Sequence, residues 1–131
     1  MLSAILMCLA LNVYHESRGE SLAGQYAVAH VTLNRVADSR WPNNVCEVVK
    51  QGGERRNRCQ FSWYCDGRSD KARDSERWFM AVNVSRRVLS GAPDITQGAT
   101  HYLNPDKVRR SPAWTRRLVT TGRIGNHVFY R

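Results

Sequence analysis

No Lys or Arg precedes the apolar run Ser3–Leu11, and no small-residue cleavage site follows it before Tyr14-His15-Glu16. The sequence therefore lacks both flanks of a secretory leader. The run is also too short to cross a bilayer as a helix. It reads as a buried first helix, with no export signal and no stable membrane insertion. There is no CxxC pair, so no zinc site is expected. There is no His-Glu-x-x-His spacing and no glycine-rich phosphate loop, which argues against a metalloprotease and a nucleotide enzyme. No metal and no cofactor are expected. Repeats, low-complexity tracts and linkers are absent, and 131 residues suit one domain, residues 1–131.

Acidic residues are scarce. Eleven Asp and Glu stand against twenty Lys and Arg, for a net charge of +9. A field of that sign attracts polyanions, which leaves nucleic acid, anionic membranes and anionic wall polymers as partner classes. The doublets Arg55-Arg56, Arg86-Arg87, Arg109-Arg110 and Arg116-Arg117 are spread along the chain. That spread favours a diffuse field over one nucleic-acid groove.

Of the four cysteines, Cys8 lies in the apolar helix and reads as a small core residue. Among Cys46, Cys59 and Cys65, one disulfide is expected in an oxidising space, with the third thiol free. Leu2, Ile5, Leu9, Val13 and Glu16 fall on one helical stripe, and Gly19 can end that helix. Ser21 is a good cap for a second helix. Its core face is Leu22, Tyr26, Ala29, Leu33 and Val36, widened by Ala27, Val28 and Val31. Trp41-Pro42-Asn43-Asn44 is a turn, Val45 to Lys50 a short helix and Gln51 to Arg58 an exposed loop. Gln60 to Tyr64 alternates like a short strand, and Asp66-Gly67 turns the chain. Ser69 is expected to cap a long third helix with Trp78, Val82, Ser85 and Leu89 inward, closed by Gly91 and Pro93. Short strands, turns and a helical turn near Pro112 to Arg117 follow. The fold class is α+β, mainly helical, with a small β region.

Glu16 is the most informative position. A carboxyl at the end of an apolar stripe is half-buried, and a helix C-terminus adds partial negative charge. Both raise its pKa, as a glycosidic acid requires, because the leaving oxygen must receive a proton. The plainer reading is a solvated Glu at a frayed helix end, or one paired with Arg18 or Arg35. Glu20 suits the dipole of the second helix by itself, or else adds a polar group to the same cleft. His30 reads as an ordinary core or surface histidine. His127 lies in Gly125-Asn126-His127-Val128-Phe129, where it can bond a carboxylate or a sugar. Gln60, Ser62, Tyr102 and Asn104 are neutral hydrogen-bonding groups near aromatics, a mixture sugar sites use. Asn104-Pro105-Asp106 is equally a turn in its own right.

These residues fall into ordered blocks. Tyr14-His15-Glu16-Ser17-Arg18-Gly19-Glu20, Gly24-Gln25, Ala27-Val28-Ala29 and Leu33-Asn34-Arg35-Val36 come first. Trp41-Pro42, Cys46-Glu47-Val48-Val49, Cys59-Gln60-Phe61-Ser62-Trp63 and Cys65-Asp66-Gly67 follow. Ala99-Thr100-His101-Tyr102-Leu103-Asn104-Pro105 and Ile124-Gly125-Asn126-His127-Val128-Phe129 complete the set. Together they resemble the spore-cortex-lytic (SleB-type) cell-wall hydrolase family over nearly the whole chain. The resemblance implies a lysozyme-like fold that cuts peptidoglycan, with the catalytic glutamate at Glu16. Glu16-Ser17 is also similar to the Glu-Ser pair of lytic transglycosylases. By the same resemblance, Glu20, Gln60, Phe61, Ser62, Tyr102, Asn104 and His127 line the cleft. Spore members carry a leader and a separate wall-binding domain, and neither is evident here. The expectation is a phage endolysin-like enzyme, released from the host cytoplasm by a holin to the periplasm or wall. The Cys46, Cys59 and Cys65 set resembles the branch found in Gram-negative hosts and their phages.

A standard glycosidase needs two carboxylates, and the second is undecided among Glu20, Asp66 and Asp106. A lytic transglycosylase needs one. Glu16 is expected to protonate the oxygen of the MurNAc-GlcNAc β-1,4 bond, then act as base while a 1,6-anhydro ring closes. A hydrolytic muramidase or glucosaminidase is the alternative within the fold. The non-enzyme alternative is a basic module binding nucleic acid or wall. Its aromatics would interleave with Arg on one surface, whereas these fall mostly on inward helical faces. The expected partner is bacterial peptidoglycan, met by a monomer, with no nucleic acid.

Overall fold

The computed structural model describes residues 2–131. Helix α1 spans Ala4–Glu16, α2 Leu22–Val36, α3 Val45–Val49 and α4 Ser75–Leu89. Strands β1 (His101–Leu103), β2 (Thr120–Ile124) and β3 (His127–Tyr130) form one antiparallel sheet in the order β1-β3-β2. The expected mainly helical α+β class is what forms. The turn near Pro112 is present as a 3-10 segment, Ala113–Arg116.

Each helix starts where a side-chain oxygen meets a free amide. Ser3 accepts from Leu6 N–H at 3.1 Å, Ser21 from Gly24 at 3.2 Å, Asn44 from Glu47 at 3.2 Å and Asp74 from Arg77 at 3.1 Å. The start of α4 departs from expectation. Ser69 accepts from Lys71 N–H at 3.3 Å in an irregular stretch, and the helix begins only at Ser75. Asp74 is the better cap because the Tyr14 hydroxyl accepts its N–H at 3.0 Å, and its carboxylate also pairs with Arg77 at 3.3 Å.

Helix α2 packs against α1, α3, α4 and β2. Its Ala27, Val28 and Val31 are fully buried, as are Leu9, Ala10 and Val13 of α1. The expected stripes of α1 and α2 hold except near their first residues. Ile5 and Leu22 face outward, at 45% and 53% exposure. The inner face of α4 is Ala81, Val84, Ser85 and Val88, with Leu89 exposed and Trp78 and Val82 at the edge. α4 meets both α1 and α2. A buried polar chain ties the central loop to this core. Trp63 Nε1 donates to Asn12 Oδ1 at 2.8 Å, and Asn12 Nδ2 donates to Thr32 Oγ1 at 3.2 Å.

The cysteine expectation is corrected. Cys8 is paired with Cys46, joining α1 to α3, and Cys59 is paired with Cys65. No free thiol remains among the described residues. The Cys59–Cys65 bridge also explains why Gln60–Tyr64 is not a strand. Six residues in extended form would separate their ends by about 20 Å, whereas these Cα atoms lie 6.0 Å apart. The chain curls instead into a 3-10 segment, Ser62–Cys65.

The loop after α4 sets the sheet against α2. Asn34 Nδ2 donates to Asp94 Oδ2 at 2.9 Å and to the Ala99 carbonyl at 2.8 Å, just before β1. The Cys8–Cys46 bridge closes 38 residues, so Cys46→Ser should lower unfolding stability by about 4 kcal/mol, against about 2 kcal/mol for Cys65→Ser on the same chain-entropy basis. Urea unfolding of the two variants checks this ordering, and equal midpoints would contradict it.

Candidate active site

Glu16 is the last residue of α1. Ser17 closes that helix, and both its N–H and its hydroxyl return to the Val13 carbonyl. Gly19 takes φ +81, a turn that costs a residue with a Cβ. Glu20 N–H donates to the Ser17 carbonyl at 2.9 Å, and α2 begins two residues later. Glu16 and Glu20 thus stand on either side of one tight turn.

Strand β1 brings Tyr102 to this turn, and its hydroxyl donates to Glu16 Oε1. Tyr102 pairs with Phe129 across β1 and β3, so they share a sheet face with His127, two residues from Phe129. Ring centres lie 5.7 Å apart for Tyr102 and Phe129, and 5.1 Å for Tyr102 and His127. Burial raises the pKa of Glu16; the Tyr102 hydrogen bond and the Arg35 charge oppose it without cancelling it. Burial, then the neighbouring Glu16, pushes the Tyr102 phenol well above its ordinary range. The phenol therefore stays a donor.

Arg35 is the residue that sequence reasoning undervalued. It is 6% exposed, and Nε donates to the Thr100 carbonyl at 2.7 Å. Its guanidinium lies 5.3 Å from the ring centres of both Trp41 and Phe61. Nη1 is buried without a partner. A buried cation needs opposite charge nearby, and the Glu16 carboxyl acts in that sense on Arg35. A signal existed: Arg35 continues the buried Val28–Val31 stripe at helical spacing.

Glu20 is held differently. Its Oε2 accepts from Asn126 Nδ2 at 2.8 Å; its Oε1 accepts from Asn126 N–H at 3.3 Å and lies 3.2 Å from His127 Nδ1. A Cβ at Gly24 or Gly125 would come within 3.0 Å of Glu20, so both glycines keep its space open. Burial pushes the Glu20 pKa up, but the bonds from Asn126 and His127 outweigh it and hold it low. Its carboxylate clamps the β2–β3 turn to the start of α2. Asn126 was not singled out from sequence, because nothing local marks a partner 106 residues away.

The other expected cleft residues divide. Tyr102 and His127 join Glu16 and Glu20 in one connected group. Phe61 is buried beneath Arg35 at 2% exposure. Gln60 and Ser62 are exposed, and neither bonds Glu16 among the described residues. The Asn104 side chain accepts from Asp106 N–H at 3.0 Å, so it serves its own turn. Asp66 Oδ1 likewise accepts from Arg68 N–H at 2.8 Å. No hydrogen bond or ion pair brings Asp66 or Asp106 to Glu16 among the described residues. No group of three or more His, Cys, Asp or Glu there could hold a metal ion.

The structure matches the catalytic domain of the Bacillus cereus SleB protein with a TM-score of 0.77 at 31% identity, covering 100% of this chain and 93% of that one. It matches the catalytic domain of the germination-specific lytic transglycosylase SleB from Bacillus anthracis with a TM-score of 0.78 at 29% identity, covering 100% and 97%. The Cell Wall Hydrolase family model matches residues 19–130, and the chain belongs to that family. The spore cortex-lytic enzyme of Halalkalibacterium halodurans is 33% identical over 127 residues, 95% of this chain and 34% of that protein. The Bacillus subtilis enzyme of the same name is 33% identical over 125 residues, 92% and 35%. The chain spans about a third of the length of these two relatives. The family match begins at Gly19, so the reading of Glu16 rests on its own geometry.

His101, beside Tyr102 on β1, packs between Trp41 and Trp114 at 5.5 and 4.8 Å. Burial and the charges of Arg35 and Arg40 depress its pKa to about 4, from 6.5. The unfolded chain therefore binds this proton first, and stability falls as pH drops from 6.5 towards 4. His101→Gln should flatten that part of the stability curve measured by thermal unfolding; an unchanged slope would contradict it.

Proposed function

We propose that this chain cleaves the MurNAc-GlcNAc β-1,4 bond of peptidoglycan as a lytic transglycosylase. The observation that carries the reading is the carboxyl of Glu16: raised by burial and bonded at Oε1 by the Tyr102 phenol. Family membership and the lytic transglycosylase activity of the B. anthracis relative support it.

Glu16 gives its proton to the bridging oxygen as the bond from muramic C1 breaks. The hydroxyl of Tyr102 and the charge of Arg35 stabilise the carboxylate left behind. Glu16 then takes the proton from the muramic C6 hydroxyl as O6 bonds to C1 and closes the anhydro ring. The acid is restored and no water is consumed. Hydrolysis would instead need a second carboxylate to activate water or attack C1. Glu20 is a poor candidate, because Asn126 and His127 occupy its oxygens. Two disulfides suit work in an oxidising space such as the periplasm or wall.

Glu16→Gln should lower lytic activity by at least about 100-fold with the fold retained. Mass spectrometry of digested wall should find 1,6-anhydro ends. Full activity in the variant would sink the assignment of Glu16, and reducing ends alone would sink the transglycosylase step.

A further inference from the structure

A cleft opens next to the last turn of α1, with a volume of about 220 Å³. His15 and Arg18, which flank Glu16 in sequence, both line it. Its wall includes a rigid aromatic stack: the His15 and Trp63 rings lie 4.6 Å apart and 16° from parallel. Both rings are pinned. His15 Nε2 bonds the Asp70 carbonyl at 2.8 Å, and Trp63 Nε1 donates to Asn12 at 2.8 Å. Arg18, Arg68, Lys71 and Arg73 line it too, with Asp66 as its one acid. None of the four cations forms an ion pair among the described residues. The turns that carry them are braced internally: Asp66 Oδ1 accepts from Arg68 N–H, and Ser69 Oγ from Lys71 N–H.

We propose that this cleft binds the carboxylates of the peptide stem carried by the glycan strand. The proposal rests on the peptidoglycan reading above. Sugars are neutral and are recognised by amides, hydroxyls and ring faces. Unpaired guanidinium and ammonium groups match carboxylates instead. In peptidoglycan those carboxylates hang from muramic acid, the sugar whose C1 reacts at Glu16. The cleft lies beside the last turn of α1, the turn that ends in Glu16, so a stem on the reacting muramic acid has only to reach around that helix end to enter it. The enzyme then prefers strands that still bear stems over denuded strands. An extended phosphate polymer would be tracked by cations strung along one line, whereas here four exposed cations gather around one open, aromatic-walled cleft.

The test has two arms. In the first, the free stem tripeptide alanyl-γ-glutamyl-diaminopimelate is titrated into the protein at low salt. The variant Arg68→Gln/Lys71→Gln/Arg73→Gln should bind it at least about tenfold more weakly than wild type. A control losing the same charge elsewhere, Arg86→Gln/Arg109→Gln/Arg110→Gln, should bind it like wild type. In the second, stem-bearing strands are compared with strands stripped by an amidase. The cleft variant should lose about tenfold more kcat/KM on the first substrate than on the second. The proposal is overturned if wild type does not bind the peptide, if both triple variants weaken it equally, or if glycerol phosphate displaces it more strongly than a second stem peptide. Wild type that cuts neither strand would sink the glycan reading alone, and the binding arm would still decide the fate of the cleft.

Discussion

The hydrogen bond from Tyr102 to Glu16 joins the end of α1 to the first strand across 86 residues of sequence. It forms only if three separate placements agree. The turn through Gly19 must leave Glu16 facing the sheet. Asn34 must hold the chain before β1 against α2. Phe129 and His127 must fill the sheet face beside Tyr102. Arg35 adds a constraint from α2, since burying its charge is costly unless opposite charge lies near. The helical core and the sheet are thus coupled through the acid, and a change in the packing of either reaches Glu16 directly.

The two carboxylates at this junction are pushed in opposite directions. Glu16 is raised because burial outweighs one phenol and one cation. Glu20 is lowered because Asn126 and His127 satisfy its oxygens despite burial. Opposite shifts on neighbouring acids are how one site separates a proton donor from a group that stays ionised. Glu20 is linked to Glu16 by contacts: it holds His127, whose ring packs against Tyr102, which bonds Glu16.

Much of this was legible in the sequence, for local reasons. Ser21 caps a helix because its own hydroxyl reaches an amide three residues on. Gly125 precedes β3 because the turn takes φ +58. Glu16 stood out as an acid ending an apolar stripe, but it was the ordered blocks around it and downstream, not that position, that favoured a catalytic role. The failures involve partners distant in sequence. Ser69 and Asp74 are both plausible caps, and the Tyr14 hydroxyl, 60 residues away, adds its weight to Asp74. Cys8 looked like core packing because its partner, Cys46, lies on another helix. Asn126 and Arg35 gain their roles only once the fold gives them Glu20 and the Trp41–Phe61 cradle.

The central claim is that the folded protein holds Glu16 as an acid poised above its ordinary range while Glu20 is held below it. Carbon-detected NMR titration of the two side-chain carboxyls measures this directly. The account predicts that Glu16 titrates above 4.5 and Glu20 below it. In Tyr102→Phe, Glu16 should move higher still, because the bond that stabilises its charged form is gone. A Glu16 carboxyl that titrates at or below 4.5, or that does not rise in Tyr102→Phe, would contradict the account.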